Sequence, residues 1–470
     1  MSHRKAVAIG AIAVAVLNLA HLFTFAFRFL GPSSSGIFPH LASLILAGRV
    51  PYRDFFLVIP PWYTLKVAAL MRIFGTDFFA LRAWELGTRT VLGLAVYWWL
   101  TRIVRPAYAF LGATLAIIIF SGDSADAITS YHHESVFWAV LAGFALSFVT
   151  WRSNTRRDLI FASLAGIGAS LAFATKQTTG AGITLTLTVA IALIGVRESG
   201  IPGTVARLAA YAAGWSIPAG AIVFWLAKAG GLKAFIDAIF ISGPGSKGSL
   251  TAVLFRVVLQ PLQNPVQAIE LLLGVLIAAG LLVLISKRHQ DESGGTARPP
   301  YGSIILCAAA LAIGAALSFA DLRPTAASLY PELEFFAIRV GFIGSVALTA
   351  YYGIVALRRP LVEAERQKLL LAAVSFATAY MLSLSWPAYQ PMACPALGLL
   401  IALLLEEMHL TGNASRPARA LIVTGTAALL LCAAYLKADL PFSWNGWTDP
   451  PVRLATAASA PPELKGVHIA

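Results

Sequence analysis

Charge is scarce in this sequence: Asp, Glu, Lys and Arg together make up 12% of 470 residues, about half the share found in soluble domains. A soluble two- or three-domain enzyme of this length is excluded by that balance. Acids are the scarcer sign, 22 against 35 Lys and Arg, for a net charge of +13. No basic tail or zinc-finger spacing accompanies the excess, which argues against a nucleic-acid partner. Cysteine is nearly absent. Cys307, Cys394 and Cys432 each sit in an apolar run with no CxxC pair, so neither a disulfide framework nor a thiolate metal site is indicated. No inside loop carries a P-loop or a dinucleotide fingerprint, which argues against ATP-driven transport by this chain alone and against a Rossmann-type nucleotide site.

Hydrophobic residues are abundant, at 58% of the chain. That is about 270 residues, enough for roughly 13 spans of about 20 residues each. Arg4 and Lys5 precede an apolar run over 6–27 that is longer than a signal-peptide core and lacks a cleavage site. It reads as an uncleaved first span with its N-terminus inside. Further spans are expected at 84–100, 107–120, 136–149, 159–174, 183–196, 205–226, 266–285, 304–319, 335–356, 369–384, 392–405 and 420–436. Alternating them puts Arg102, Arg105, Arg152, Arg156, Arg157, Arg197, Arg207, Lys287, Arg288, Arg298, Arg358, Arg359, Arg366, Lys368, Arg416 and Arg419 in inside loops. The opposite loops carry few cations, the positive-inside pattern. The expected fold is therefore an all-α integral membrane protein, a polytopic domain over 1–436 with an outer tail over 437–470.

The substantial loops face outside: 28–83, 229–265 and 320–334. The first is the most informative. Helical apolar spacing over 36–47 and 62–74 is too short to span and suits two helices lying in the membrane interface. Between them the connector holds Tyr52, Arg53 and Asp54 beside two Phe and a double Pro. Asp54 is the candidate acid: an aspartate among aromatics at a membrane surface suits a general base toward a hydroxyl, and equally suits a helix cap or an ion pair with Arg53. Arg82, Glu85 and Arg89 stand at i, i+3 and i+7, on one helix face. Charges so near hydrocarbon face a protein interior, as a site or as a structural network. Asp123, Asp126, His132, His133 and Glu134 gather where two spans emerge, a grouping open to a divalent cation, an acceptor, or a helix-dipole role for Glu134. Lys176 and Gln177 stand at another outer span end, and Arg339 lies inside a span.

GRVPYRDFFLVIPPWY (48–63), followed by Arg72-Ile73-Phe74-Gly75 and Arg82, resembles the first periplasmic loop of the GT-C superfamily of multi-span glycosyltransferases. Tyr131-His132-His133-Glu134-Ser135 and Ala174-Thr175-Lys176-Gln177-Thr178-Thr179-Gly180 are similar to bacterial members, relatives of protein O-mannosyltransferases and lipid A aminoarabinose transferases. The resemblance covers about the first 200 residues by motif and the remainder by hydropathy. It implies a polyprenyl-phosphate-linked sugar as donor, a lipid, glycan or protein hydroxyl as acceptor, and transfer on the periplasmic face of a bacterial inner membrane. On that reading Asp54 is catalytic; Lys176, Arg82, Arg89 and Arg339 hold the donor phosphate; and Tyr52, Arg53, His133, Glu134 and Gln177 bind acceptor or sugar. A metal is left open, with a divalent cation as the candidate cofactor. One departure stands out: the acid that family members carry soon after the first span is absent from residues 31–36. A transporter or flippase of a lipid-linked substrate, or a catalytically silent GT-C-like scaffold, remains as the alternative.

Overall fold

A computed structural model describes residues 2–26, 34–76, 78–120, 130–152, 155–242, 255, 262, 265–292, 326–384 and 396–410. Among these residues every extended element is helical, and the sole bridge of strand type joins Pro51 and Phe55. The helices are α1 (His3–Ala26), α2 (Ser34–Leu46), α3 (Trp62–Phe74), α4 (Phe78–Thr101), α5 (Pro106–Phe120), α6 (Tyr131–Leu146), α7 (Arg156–Thr175), α8 (Gln177–Lys228) and α9 (Leu232–Ile236). The last runs on into a π-helical turn, Asp237–Ser242, and is followed by α10 (Pro265–Glu292), α11 (Ala326–Arg358), α12 (Glu363–Ser383) and α13 (Ala396–Leu410). Among the described residues, four segments are long and apolar enough to cross a membrane: His3–Phe23, Arg156–Thr175, Gln177–Lys228 and Arg339–Arg358.

Eleven of the thirteen expected spans overlap these helices, and the two at 304–319 and 420–436 lie outside the described residues, as does the tail. Two boundaries differ from the sequence reading. Helix α10 continues to Glu292, past the span end expected at 285, and α11 begins at Ala326, inside the stretch read as an outer loop. Between the spans expected at 183–196 and 205–226 the course of α8 turns at Gly200, with φ 71° and ψ −179°. Only glycine adopts that backbone cheaply, and Pro202 opens the next limb, where its missing N–H is not needed.

The chain divides into two compact units. One comprises residues 1–18, 93–120 and 257–440, in which α11 packs against α10, α12 and α13, and α13 against α5. Gly112 and Gly398 meet there so closely that a Cβ on either would strike the other's carbonyl oxygen, the small-residue contact by which membrane helices approach. Lys368 and Glu407, both buried, pair at 3.0 Å, and Arg359 binds Glu365 at 2.6 Å. Lys368 and Arg366, read as loop charges, thus lie buried on α12.

The other unit comprises 19–92, 121–256 and 441–470, and its described core is α7 packed against both α6 and α8. Gly166 and Gly214 are the close-approach positions between α7 and the second limb of α8. One buried ion pair fastens two turns of this unit. Asp158 accepts from the Thr150 N–H at 3.0 Å and the Thr150 hydroxyl at 2.8 Å. Arg207 lies 3.6 Å from Asp158, both side chains being fully buried. It also donates to the Trp151 carbonyl at 3.1 Å and to Ser199 Oγ at 2.7 Å. Arg207, read as an inside-loop cation, therefore joins the turn before α7 to the turn within α8. Removing one member of a buried pair costs about 3–5 kcal/mol. We expect Arg207→Met to lower the melting temperature in detergent markedly and the Arg207→Met/Asp158→Leu double variant to recover part of the loss; equal melting of wild type and Arg207→Met would contradict this.

Candidate functional site

Helix α3 owes its place to a lysine on the wrong face. Tyr63, Val67 and Leu70 form its buried stripe at helical spacing, and Lys66 lies among them at 9% exposure. An ammonium removed from water needs charged partners. Lys66 Nζ donates to Glu85 Oε1 on α4 at 2.8 Å and to Glu134 Oε2 on α6, and it stands 4.1 Å from the centre of the Tyr63 ring. Burial pulls the ammonium toward its neutral form, but the combined pull of Glu134 and Glu85 outweighs it and leaves the pKa raised. The second oxygen of Glu134 accepts from two indoles, Trp62 Nε1 at 3.1 Å and Trp138 Nε1 at 3.2 Å. Phe38, Tyr63 and Tyr131 pack edge to face around this network, so α2 is joined to α3 and α6 through rings.

Glu134 sits in the first turn of α6, whose N-cap Ser130 accepts from the His132 N–H at 3.3 Å. His132 and His133 are both buried beside it. Lys176 is placed by the break between α7 and α8, with φ −150° and ψ 112°. Its Nζ lies 2.9 Å from His132 Nδ1, and it is 3% exposed. Gln177 comes next as the first residue of α8 and is half-buried. On α4, Arg82, Glu85 and Arg89 are all buried, as their shared face requires. The structure thus brings Glu134, His133, Lys176, Arg82 and Arg89 into one compact unit, whereas Arg339, buried on α11, belongs to the other.

The connector carrying Asp54 is a tight turn. The Tyr52 N–H donates to the Phe55 carbonyl at 2.8 Å, and Tyr52 takes a positive φ of 67°. Its hydroxyl donates to the Ile59 carbonyl at 2.5 Å and its ring meets Phe235 at 5.2 Å. Asp54 accepts from Arg53 twice, at 2.9 and 2.8 Å, and from the Val50 N–H at 2.8 Å. These bonds, Arg53 first and Val50 second, hold its carboxyl at a pKa of about 2. Arg53 also reaches the Ala229 carbonyl at 2.8 Å, tying the turn to the end of α8.

Sequence reasoning left out Lys66 and Glu85 as site residues. The signal for Lys66 was its register, a charge in line with Tyr63, Val67 and Leu70; for Glu85 it was the two arginines sharing its face. Cations exceed acids in this part of the unit, with Lys66, Arg82, Arg89 and Lys176 against Glu85 and Glu134. Such a set suits an anionic ligand. Among the described residues no group of three or more His, Cys, Asp or Glu is placed to hold a metal ion; Asp123 and Asp126 lie outside them.

No protein-family profile matches the chain, and no curated protein does. Among solved structures it is similar to the oligosaccharyltransferase of Archaeoglobus fulgidus in complex with zinc and sulfate, at 15% identity and a TM-score of 0.51. The match covers 93% of this chain and 53% of that one, so the chain spans about half the length of the enzyme it matches. The same enzyme tethered to an acceptor peptide aligns at 16% identity and a TM-score of 0.46, over 92% and 55%. At that identity the likeness is one of fold.

Replacing Lys66 by Met leaves two buried carboxylates without their cation, a loss of about 3–5 kcal/mol. We expect that variant to melt far below wild type, while Trp138→Phe, which removes one of the two indole bonds to Glu134, loses only about 1–2 kcal/mol. Equal losses in the two variants would show that the ammonium does not hold the network.

Proposed function

We propose that this chain is a membrane glycosyltransferase that moves a sugar from a polyprenyl-phosphate donor to a hydroxyl of a lipid, glycan or protein acceptor. Its setting is a bacterial inner membrane, with transfer on the periplasmic face, the N-terminus inside and the C-terminal tail outside. The observation that carries the reading is the set of buried cations, Lys176, Arg82 and Arg89, gathered in the unit that also bears the Asp54 turn. A departing lipid phosphate needs such groups in a low-dielectric site, where each stabilises developing charge. The GT-C-like fold supports the same reading.

Asp54 has the catalytic part, and its clamp defines how it works. A carboxyl held at about 2 is ionised at neutral pH but accepts a proton poorly. An acceptor hydroxyl that displaces Arg53 restores its basicity, so Arg53 and Tyr52 become the acceptor-side contacts, with His133 and Gln177 toward the sugar, while Glu134, taken up by Lys66 and two indoles, seats α3 instead. The same clamp favours a second reading, a silent scaffold in which Arg53 and Asp54 serve only to close the turn.

Turnover of radiolabelled polyprenyl-phosphate sugars by purified protein separates these readings. Wild type is expected to release or transfer sugar, Asp54→Asn to bind donor without turnover, and Lys176→Ala to lose donor affinity. Binding without turnover in wild type would leave the scaffold standing. The pH dependence adds a sign. A carboxyl whose folded pKa lies below its ordinary 3.8 contributes stability that is full above about pH 4 and lost as pH falls through about 2. Melting of wild type and Arg53→Ala is therefore expected to differ by a constant amount from pH 5 to 9; a difference that changes across that range would contradict the clamp.

A further inference from the structure

An apolar cavity of about 630 Å³ lies in the same compact unit as the candidate site. Its walls come from α7, the second limb of α8, Pro60 and Pro61, and α9 with its π-helical turn. Aromatic rings line it, Phe173 stacking on Phe240 at 6.1 Å and meeting Trp215 at 5.9 Å, and no charged side chain does. The volume falls in the range of pockets that bury a small organic ligand. Gly220 and Phe240 are exposed at its rim, and a Cβ built on Gly220 meets nothing within 4 Å. A space that opens on an apolar helix face admits hydrocarbon.

Two observations select the kind of hydrocarbon. The first is Ser170. It lines the cavity, is 1% exposed, and its hydroxyl has no hydrogen-bond partner among the described residues. A buried hydroxyl left unbonded is costly, so a ligand oxygen at that point is favoured. Ser170 lies five residues before Thr175, the end of α7, about 7.5 Å along the axis at 1.5 Å per residue. The polar zone of each leaflet is about 5–7.5 Å deep, taken as half the difference between the whole bilayer and its hydrocarbon core. A helix end that reaches the outer edge of that zone puts Ser170 at its inner edge, where acyl-ester carbonyls lie. A polyprenyl chain has no oxygen below its phosphate ester to offer there.

The second observation is the charge on the helices that wall the cavity. Lys228 ends α8 and Lys233 lies in α9, both exposed, against one half-buried acid, Asp237. The balance is positive, which suits an anionic headgroup. We infer that the cavity holds one acyl chain of an anionic diacyl glycerophospholipid, whose ester carbonyl accepts from Ser170 Oγ and whose phosphate lies at Lys228 and Lys233. This inference needs only the membrane setting and does not rest on glycosyl transfer.

Native mass spectrometry of the delipidated full-length protein, titrated with defined lipids, tests it. Wild type is expected to bind dioleoyl phosphatidylglycerol about tenfold more tightly than its dialkyl ether analogue, the effect of one hydrogen bond, and more tightly than dioleoyl phosphatidylcholine. Ser170→Ala is expected to bind the diacyl and dialkyl lipids equally. Gly220→Leu fills open space without a clash and is expected to abolish binding of both while its melting temperature is maintained. Equal binding of ester and ether lipids by wild type, stronger binding of polyprenyl phosphate that Gly220→Leu removes, or phosphatidylglycerol binding that survives Gly220→Leu would each overturn the assignment.

Discussion

The organisation of the first loop depends on one buried ammonium. Taking a lysine out of water is tolerable only when opposite charge and hydrogen bonds replace its hydration, and Lys66 finds both in Glu85 and Glu134. Because its two partners stand on different helices, the requirement fixes α3 against α4 and α6 together. Glu134 is in turn held by Trp62 and Trp138, so neither carboxylate oxygen can shift without breaking a bond. That anchor sets position: Pro61, Trp62 and the Asp54 turn before them are placed relative to the start of α6, where His132 meets Lys176.

The same principle recurs away from the candidate site, once in each compact unit. Asp158 and Arg207 join two turns in one, and Lys368 and Glu407 join α12 to α13 in the other. In all three places an ion pair that lies buried replaces what composition alone suggests is a solvated charge. Buried pairs add less to net stability than their Coulomb attraction implies, yet they punish every arrangement that separates them. Here that penalty selects one packing among apolar helices, whose hydrophobic faces would otherwise slide with little cost.

The same pairs account for how much was legible in the sequence. Helix α3 is bounded by Pro61 and Gly75, and its limits at 62 and 74 could be read from those residues and the apolar spacing. The burial of Arg82, Glu85 and Arg89 agrees with their shared helix face. The pairing of Lys66 with Glu85 and Glu134 was not legible, because contacts across 19 and 68 residues leave no local pattern. Arg207 was misplaced for a related reason: positive-inside counting treats every cation near a span end as a loop charge, whereas this one finds Asp158. Asp54 could be singled out as an acid among aromatics, but the double hydrogen bond from Arg53 that alters its chemistry is visible only in the folded turn.

The Lys66 ammonium, through Glu134, holds the first loop to the spanning helices. A double-mutant cycle over Lys66→Met and Glu134→Gln, read from denaturant or thermal unfolding in detergent, measures that link directly. A coupling of about 1.5 kcal/mol or more is expected, within the range for contacting charges that share one network. Additive losses within about 0.5 kcal/mol would contradict it, and would mean that aromatic packing alone seats α3.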